Sequence, residues 1–151
     1  NYLKLLSDSG LLGGLDKYAG SVVRQRSSSP KFQVYNNALL ISQDHETYST
    51  AIVNPKRWGR LVESSVGAHL LNHSVSERYN LHYWREGNHE VDYILEKGDK
   101  VIGLEVKSGA SIDNAGMGIF NEKFHPHKIL LVGTGGIPYE EFLKINPKEL
   151  F

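Results

Sequence analysis

Apolar positions recur along this chain with two different periods. From Pro55 onward Trp58, Leu61, Val62, Val66, His69 and Leu70 return every three or four residues, the spacing of one helix face. Asn54 stands where an N-cap is wanted, just before a proline suited to the first helical position. From Asn80 the period falls to two. The stretches Asn80 to Arg85, His89 to Glu96 and Val101 to Lys107 read as strands, parted by the turn dipeptides Gly87-Asn88 and Gly98-Asp99. They predict a three-stranded meander. A helix over Asn114 to Phe124, a strand Ile129 to Val132 and a last helix around Tyr139 to Ile145 complete the order α, β, β, β, α, β, α. The unbroken apolar run of Ile129 to Val132 predicts burial on both faces, inside a mixed sheet flanked by helices.

The segment before Asn54 is less regular. Tyr2, Leu5, Leu6, Leu11 and Leu12 suggest a short helix stopped by Gly13-Gly14. A polar, serine-rich stretch from Ser21 to Pro30 precedes Phe32-Gln33-Val34-Tyr35, which reads as a short strand. We therefore divide the chain into a small helix-rich segment, 1–54, and a main α/β domain, 55–151.

The hairpin at Gly98-Asp99 carries the chemistry. A two-residue turn there places Tyr93 opposite Leu104 and Leu95 opposite Ile102, and by the same register Val91 opposite Val106, three apolar pairs on one face. On the other face Asp92 comes opposite Glu105, and Glu90 opposite Lys107, with Cβ atoms about 4.5 to 5.5 Å apart by strand geometry. Facing carboxylates repel unless one is protonated or a cation lies between them, and a divalent metal answers that need. Oxygen ligands suit Mg²⁺ or Mn²⁺. Lys107 projects on the face of Glu105, placed to orient a water or to stabilise developing charge.

Composition narrows the alternatives. The 151 residues contain 17 Lys plus Arg, 17 Asp plus Glu and no cysteine. No global field attracts a polyanion, so nucleic-acid binding requires a local patch. Disulfides, thiolate zinc sites and cysteine nucleophiles are excluded, in keeping with a cytoplasmic location. No apolar run approaches a membrane span, so no membrane partner is expected. The first residues lack a methionine and already resemble the middle of an amphipathic helix, the expectation for a C-terminal piece of something longer.

The helix glutamate Glu63 followed by Asp92 and then Glu105-Val106-Lys107 on consecutive strands resembles the PD-(D/E)XK nuclease superfamily. More closely, the run His82-Tyr83-Trp84-Arg85 to Glu90-Val91-Asp92, then Gly103-Leu104-Glu105-Val106-Lys107-Ser108-Gly109, is similar to the C-terminal region of prokaryotic AAA-type ATPases of unknown function. The resemblance implies a restriction-endonuclease-like fold, with 1–54 a partial winged-helix-like segment. It makes Asp92 and Glu105 metal ligands, with Glu90, which fits a recurring Glu-x-Asp variant, as a further one, Lys107 the catalytic lysine and Glu63 an auxiliary acid. Mg²⁺- or Mn²⁺-dependent cleavage of nucleic acid, DNA first, is the expected activity. The chain's own N-terminal ATPase module would be a partner, and ATP would bind only there, because no Gly-x-x-x-x-Gly-Lys-Ser/Thr loop occurs in these residues.

Two other functions fit the same residues: a catalytically silent domain that docks DNA for the ATPase, or one that docks a protein partner. The remaining motifs read as structural. His69 and His73 share a helix face without the glutamate of zinc proteases, His125-Pro126-His127 reads as a helix stop, Gly133-Thr134-Gly135-Gly136 as a turn, and Trp84 as core.

Overall fold

The computed structural model of the chain describes residues 2–20, 28–43, 45–109 and 115–151. The elements are α1 (Tyr2–Asp8), β1 (Leu12–Lys17), β2 (Lys31–Val34), α2 (Ala38–Ser42), α3 (Tyr48–Ile52), α4 (Pro55–Glu77), β3 (Asn80–Glu86), β4 (His89–Lys97), β5 (Lys100–Lys107), α5 (Ala115–Phe124), β6 (Lys128–Gly133), α6 (Tyr139–Phe142) and a 3-10 turn, Pro147–Leu150. The strands form one mixed sheet in the order β2-β1-β3-β4-β5-β6. The expected α/β architecture is present: a mixed sheet with helices on both faces, preceded by a helix-containing segment.

The long helix begins where its sequence says it should. Asn54 Oδ1 accepts from the Arg57 amide at 3.1 Å, and Pro55 follows as the first helical residue. The helix ends at Arg78, which takes a left-handed conformation and turns the chain into β3. None of the helices in the described residues is long and apolar enough to cross a membrane.

The meander forms as read. The β4–β5 ladder pairs Tyr93 with Leu104, Ile94 with Gly103, Leu95 with Ile102 and Lys97 with Lys100. Each face of the sheet has its own core. Val66 and Leu70 of α4 pack with Leu81, Tyr93, Leu95, Ile102 and Leu104. Met117 and Phe120 of α5 pack with Tyr18, Trp84, Val91 and Ile94 on the other side.

Val91 departs from expectation, and the departure has a definite cause. On the β3 side His82 pairs with Ile94 but Trp84 pairs with Val91, so Tyr83 alone stands opposite Asp92 and Tyr93. This is a β-bulge on β4. The extra residue reverses the alternation, sends Val91 to the α5 core with Trp84, and leaves Tyr93 and Leu95 facing α4. The expected Val91–Val106 pair is therefore not formed.

Three further expectations change. Gly13 and Gly14 do not stop a helix but lie inside β1, which pairs antiparallel with β2 and, through Asp16 and Lys17, parallel with β3. The strand over Ile129 to Val132 is not buried on both faces: β6 is last in the strand order, next to β5, and leaves Ile129 41% exposed. The last helix is short, with the 3-10 turn completing the chain. Asn114, the expected start of the fifth helix, and most of the serine-rich stretch (residues 21–27) lie outside the described residues.

Candidate active site

Beyond Tyr93 and Leu104 the described pairing of β4 with β5 stops. There the Val106 amide donates to Asp92 Oδ2 at 2.8 Å, a side-chain oxygen taking the bond a backbone carbonyl would otherwise accept. The bulge makes this geometry: it offsets Asp92 from the regular alternation and buries its carboxylate, only 8% exposed. Asp92 and Glu105 thus meet at the parting of two strands, and not as a regular cross-strand pair. The Glu90–Lys107 pair expected from the same register is likewise not part of the ladder.

Burial is the first influence on both acids. It pushes the Asp92 carboxyl up to about 8, reinforced by the charges of Glu63 and Glu105, against the opposing pull of Lys31 and the Val106 amide. Glu105 is raised too, first by burial, while the Lys107 ammonium holds it down. Lys107 Nζ donates to Glu105 Oε1 at 2.6 Å. The other oxygen, Glu105 Oε2, is buried and has no hydrogen-bond partner among the described residues.

Glu63 comes from α4. Its Oε1 accepts from Lys31 Nζ at 2.7 Å, and the same ammonium lies 4.0 Å from Asp92 Oδ1 and 5.3 Å from the centre of the Tyr93 ring. Burial lowers the Lys31 pKa, but Glu63, Asp92 and Glu90 outweigh it, and the net shift is upward. Glu90 itself is exposed, with its carboxylate 3.9 Å from Arg85 Nε, so it belongs to the rim.

A polar network beneath these groups fixes α4 against the sheet. The Tyr93 hydroxyl lies 2.9 Å from the Glu63 carbonyl oxygen and 3.0 Å from Gln33 Oε1, while Gln33 Nε2 donates to the Ser64 carbonyl at 2.9 Å. Gly67 makes room for it: a Cβ there would fall 2.2 Å from both Gln33 Oε1 and the Tyr93 hydroxyl. On the far side the turn Gly133-Thr134 closes on the end of β5. Thr134 N donates to the Lys107 carbonyl at 2.7 Å, and a Cβ on Gly133, whose φ is +97°, would overlap that same oxygen.

A family model described as a domain of unknown function, DUF4143, matches residues 58–146, more than half of the chain. The chain belongs to the DUF4143 family. No curated protein and no solved structure matches it.

In this DUF4143 chain the matched region holds Glu63, Glu90, Asp92, Glu105 and Lys107. Lys31 and Gln33 lie before it. Sequence reasoning missed both, and local pattern carried no signal for either, because their partners lie about thirty residues or more away. Tyr93 was read only as core, since nothing in alternation shows that its hydroxyl reaches α4.

The acids suit a hard divalent cation in one respect. Two adjacent buried carboxylates, one with an unpartnered oxygen, match the way Mg²⁺ is usually held, by one or two carboxylates and several waters. They do not form a complete cage: no three His, Asp or Glu side chains of the described residues are grouped to hold a metal ion.

The histidine pair stays structural. The rings of His69 and His73 are 4.7 Å apart, yet His69 Nε2 is bonded to the Ile145 carbonyl and His73 Nδ1 to the His69 carbonyl. His125, with φ +46°, follows the last residue of α5 as a helix stop should.

Proposed function

We propose that this domain hydrolyses nucleic-acid phosphodiesters, DNA first, with Mg²⁺ or Mn²⁺ at a PD-(D/E)XK-like site, as the C-terminal part of a larger prokaryotic AAA-type ATPase. One observation carries the reading: Asp92 and Glu105 are buried side by side at the parting of β4 and β5, with Lys107 on one Glu105 oxygen and no hydrogen-bond partner among the described residues on the other. Like charges are buried together where a cation is to be received, and such clusters of displaced pKa values gather at functional sites.

Asp92 and Glu105 would hold the ion, each keeping one oxygen that is not committed to Val106 or Lys107. The ion, when bound, lowers the pKa of a water and polarises the phosphoryl group. Lys107 would orient the attacking water and offset charge on the phosphate. The water oxygen forms the new P–O bond, the bond to the leaving sugar oxygen breaks, and the water's proton ends on the leaving group. Glu63 serves as an auxiliary acid on the α4 side and Glu90 as an outer one.

A second reading has its own support. Lys31 and Lys107 already neutralise much of the acid cluster, which fits a catalytically silent domain that docks DNA or a protein for the ATPase. Calorimetric titration with Mg²⁺ and Mn²⁺, followed by plasmid cleavage, separates the two. Binding and cleavage in the wild type, both lost in Asp92→Ala/Glu105→Ala, are expected. A well-folded wild type that binds metal without cutting any nucleic acid would instead leave the docking reading.

A further inference from the structure

We propose that Lys31 is the resident counter-ion of the acidic site, and that a divalent cation enters by displacing its ammonium from Asp92. The strand preceding the recognisable family region would then set the site's affinity for metal. The inference rests on the metal-site reading above and adds a regulator to it.

The two Asp92 oxygens have different neighbours. Oδ2 is taken by the Val106 amide at 2.8 Å, which leaves Oδ1 for a cation. Oδ1 is also the oxygen facing Lys31, at 4.0 Å. A metal and the ammonium therefore compete for one atom.

The ammonium is held there by more than chance contact. It donates to Glu63 at 2.7 Å and lies over the face of the Tyr93 ring, and its side chain is only 30% exposed. Two elements distant in sequence, β2 and α4, are thus joined through a charge at the mouth of the site. A divalent ion bound to Asp92 would sit a few ångströms from this charge and be repelled by it.

Glu105 supplies an independent sign that a ligand is awaited. Its residue is only 7% exposed and Oε2 has no partner among the described residues, although Lys107 is bonded to the neighbouring oxygen. Lys31 thus pairs with Glu63 and Lys107 with Glu105, while Glu105 Oε2 keeps no hydrogen-bond partner among the described residues. A cation held by Asp92 and Glu105 would satisfy that oxygen once the Lys31 ammonium moves away from Asp92 while keeping its bond to Glu63.

The test titrates Mn²⁺ alone into wild type, Lys31→Met, Lys31→Gln and Lys31→Arg, read by calorimetry and by the shift in melting temperature. Lys31→Met and Lys31→Gln should bind about tenfold or more tightly than wild type and gain more thermal stability from the ion, while Lys31→Arg should stay near wild type. Two neutral variants guard against one failing to fold. Equal or weaker binding in the neutral variants of a metal-binding wild type overturns the counter-ion role and leaves the metal site standing. Binding only in the neutral variants upholds the role and removes the constitutively active nuclease. Absence of binding in all four overturns both.

Discussion

The Val106 amide donates to the Asp92 carboxylate at 2.8 Å, so one strand holds its neighbour by a side chain at the point where their backbones part. The acid is thereby fixed in position and removed from water together.

Asp92 makes the fold sensitive to pH. Its carboxyl is raised, by burial first, from an ordinary 3.8 to about 8, so the folded chain binds a proton that the unfolded chain releases. Stability from this group is full below about pH 4 and falls as pH rises toward about 8. Urea midpoints of the metal-free protein across that window should decline in the wild type and decline less in Asp92→Asn. Parallel curves would remove Asp92 as the source.

Metal binding should expel protons. A cation takes the charged form of Asp92, which at neutral pH must first lose its proton. Calorimetry of Mn²⁺ binding in two buffers of different ionisation enthalpy should show net release at pH 7, shrinking by pH 9. Identical heats in the two buffers at pH 7 would contradict it.

Two helix glycines should respond in opposite senses to the same substitution. Alanine normally gains up to about 1 kcal/mol over glycine inside a helix. Gly118 in α5 has open space around an added Cβ, so Gly118→Ala should gain about that much. At Gly67 the Cβ would meet Gln33 and Tyr93 at 2.2 Å, and Gly67→Ala should lose about 1–3 kcal/mol through overpacking. Denaturant unfolding of the two variants measures both signs.

Tyr93→Phe removes the hydroxyl that joins β4 to α4 and deprives buried Gln33 of a partner. A loss of about 1–3 kcal/mol is expected. Metal affinity should weaken alongside, since α4 carries Glu63 to the site; a stable variant with unchanged affinity would show that the network serves packing alone.

Much of the fold was legible because local rules settled it. Gly98-Asp99 fixed the hairpin, and the alternation of Tyr93 and Leu95 against Ile102 and Leu104 fixed its register. Asn54 and Pro55 marked the start of α4. The bulge was not legible: Asp92 and Tyr93 keep an apolar and polar alternation that reads as regular strand, and only the pairing with β3 reveals the extra residue. Gly13-Gly14 concealed β1 because two glycines look like a stop when the strands that pair with them are unknown. Candidate acids and Lys107 could be named from the hairpin and the family resemblance. Lys31 could not, because its meaning comes from a contact across the sheet, far away in sequence.

The evolutionary signature and the folding unit have different edges in this molecule. The family match starts within α4, whereas β1 continues the sheet beyond β3 and β2 delivers Gln33 and Lys31 to the residues of the matched region. Cutting the chain at that border would remove the N-cap of α4, unpair the outer edge of β3 and expose it as a template for strand addition by other chains. What sequence comparison delineates is therefore only part of one continuous sheet, and the two strands outside it cover an edge that the matched strands would otherwise leave bare.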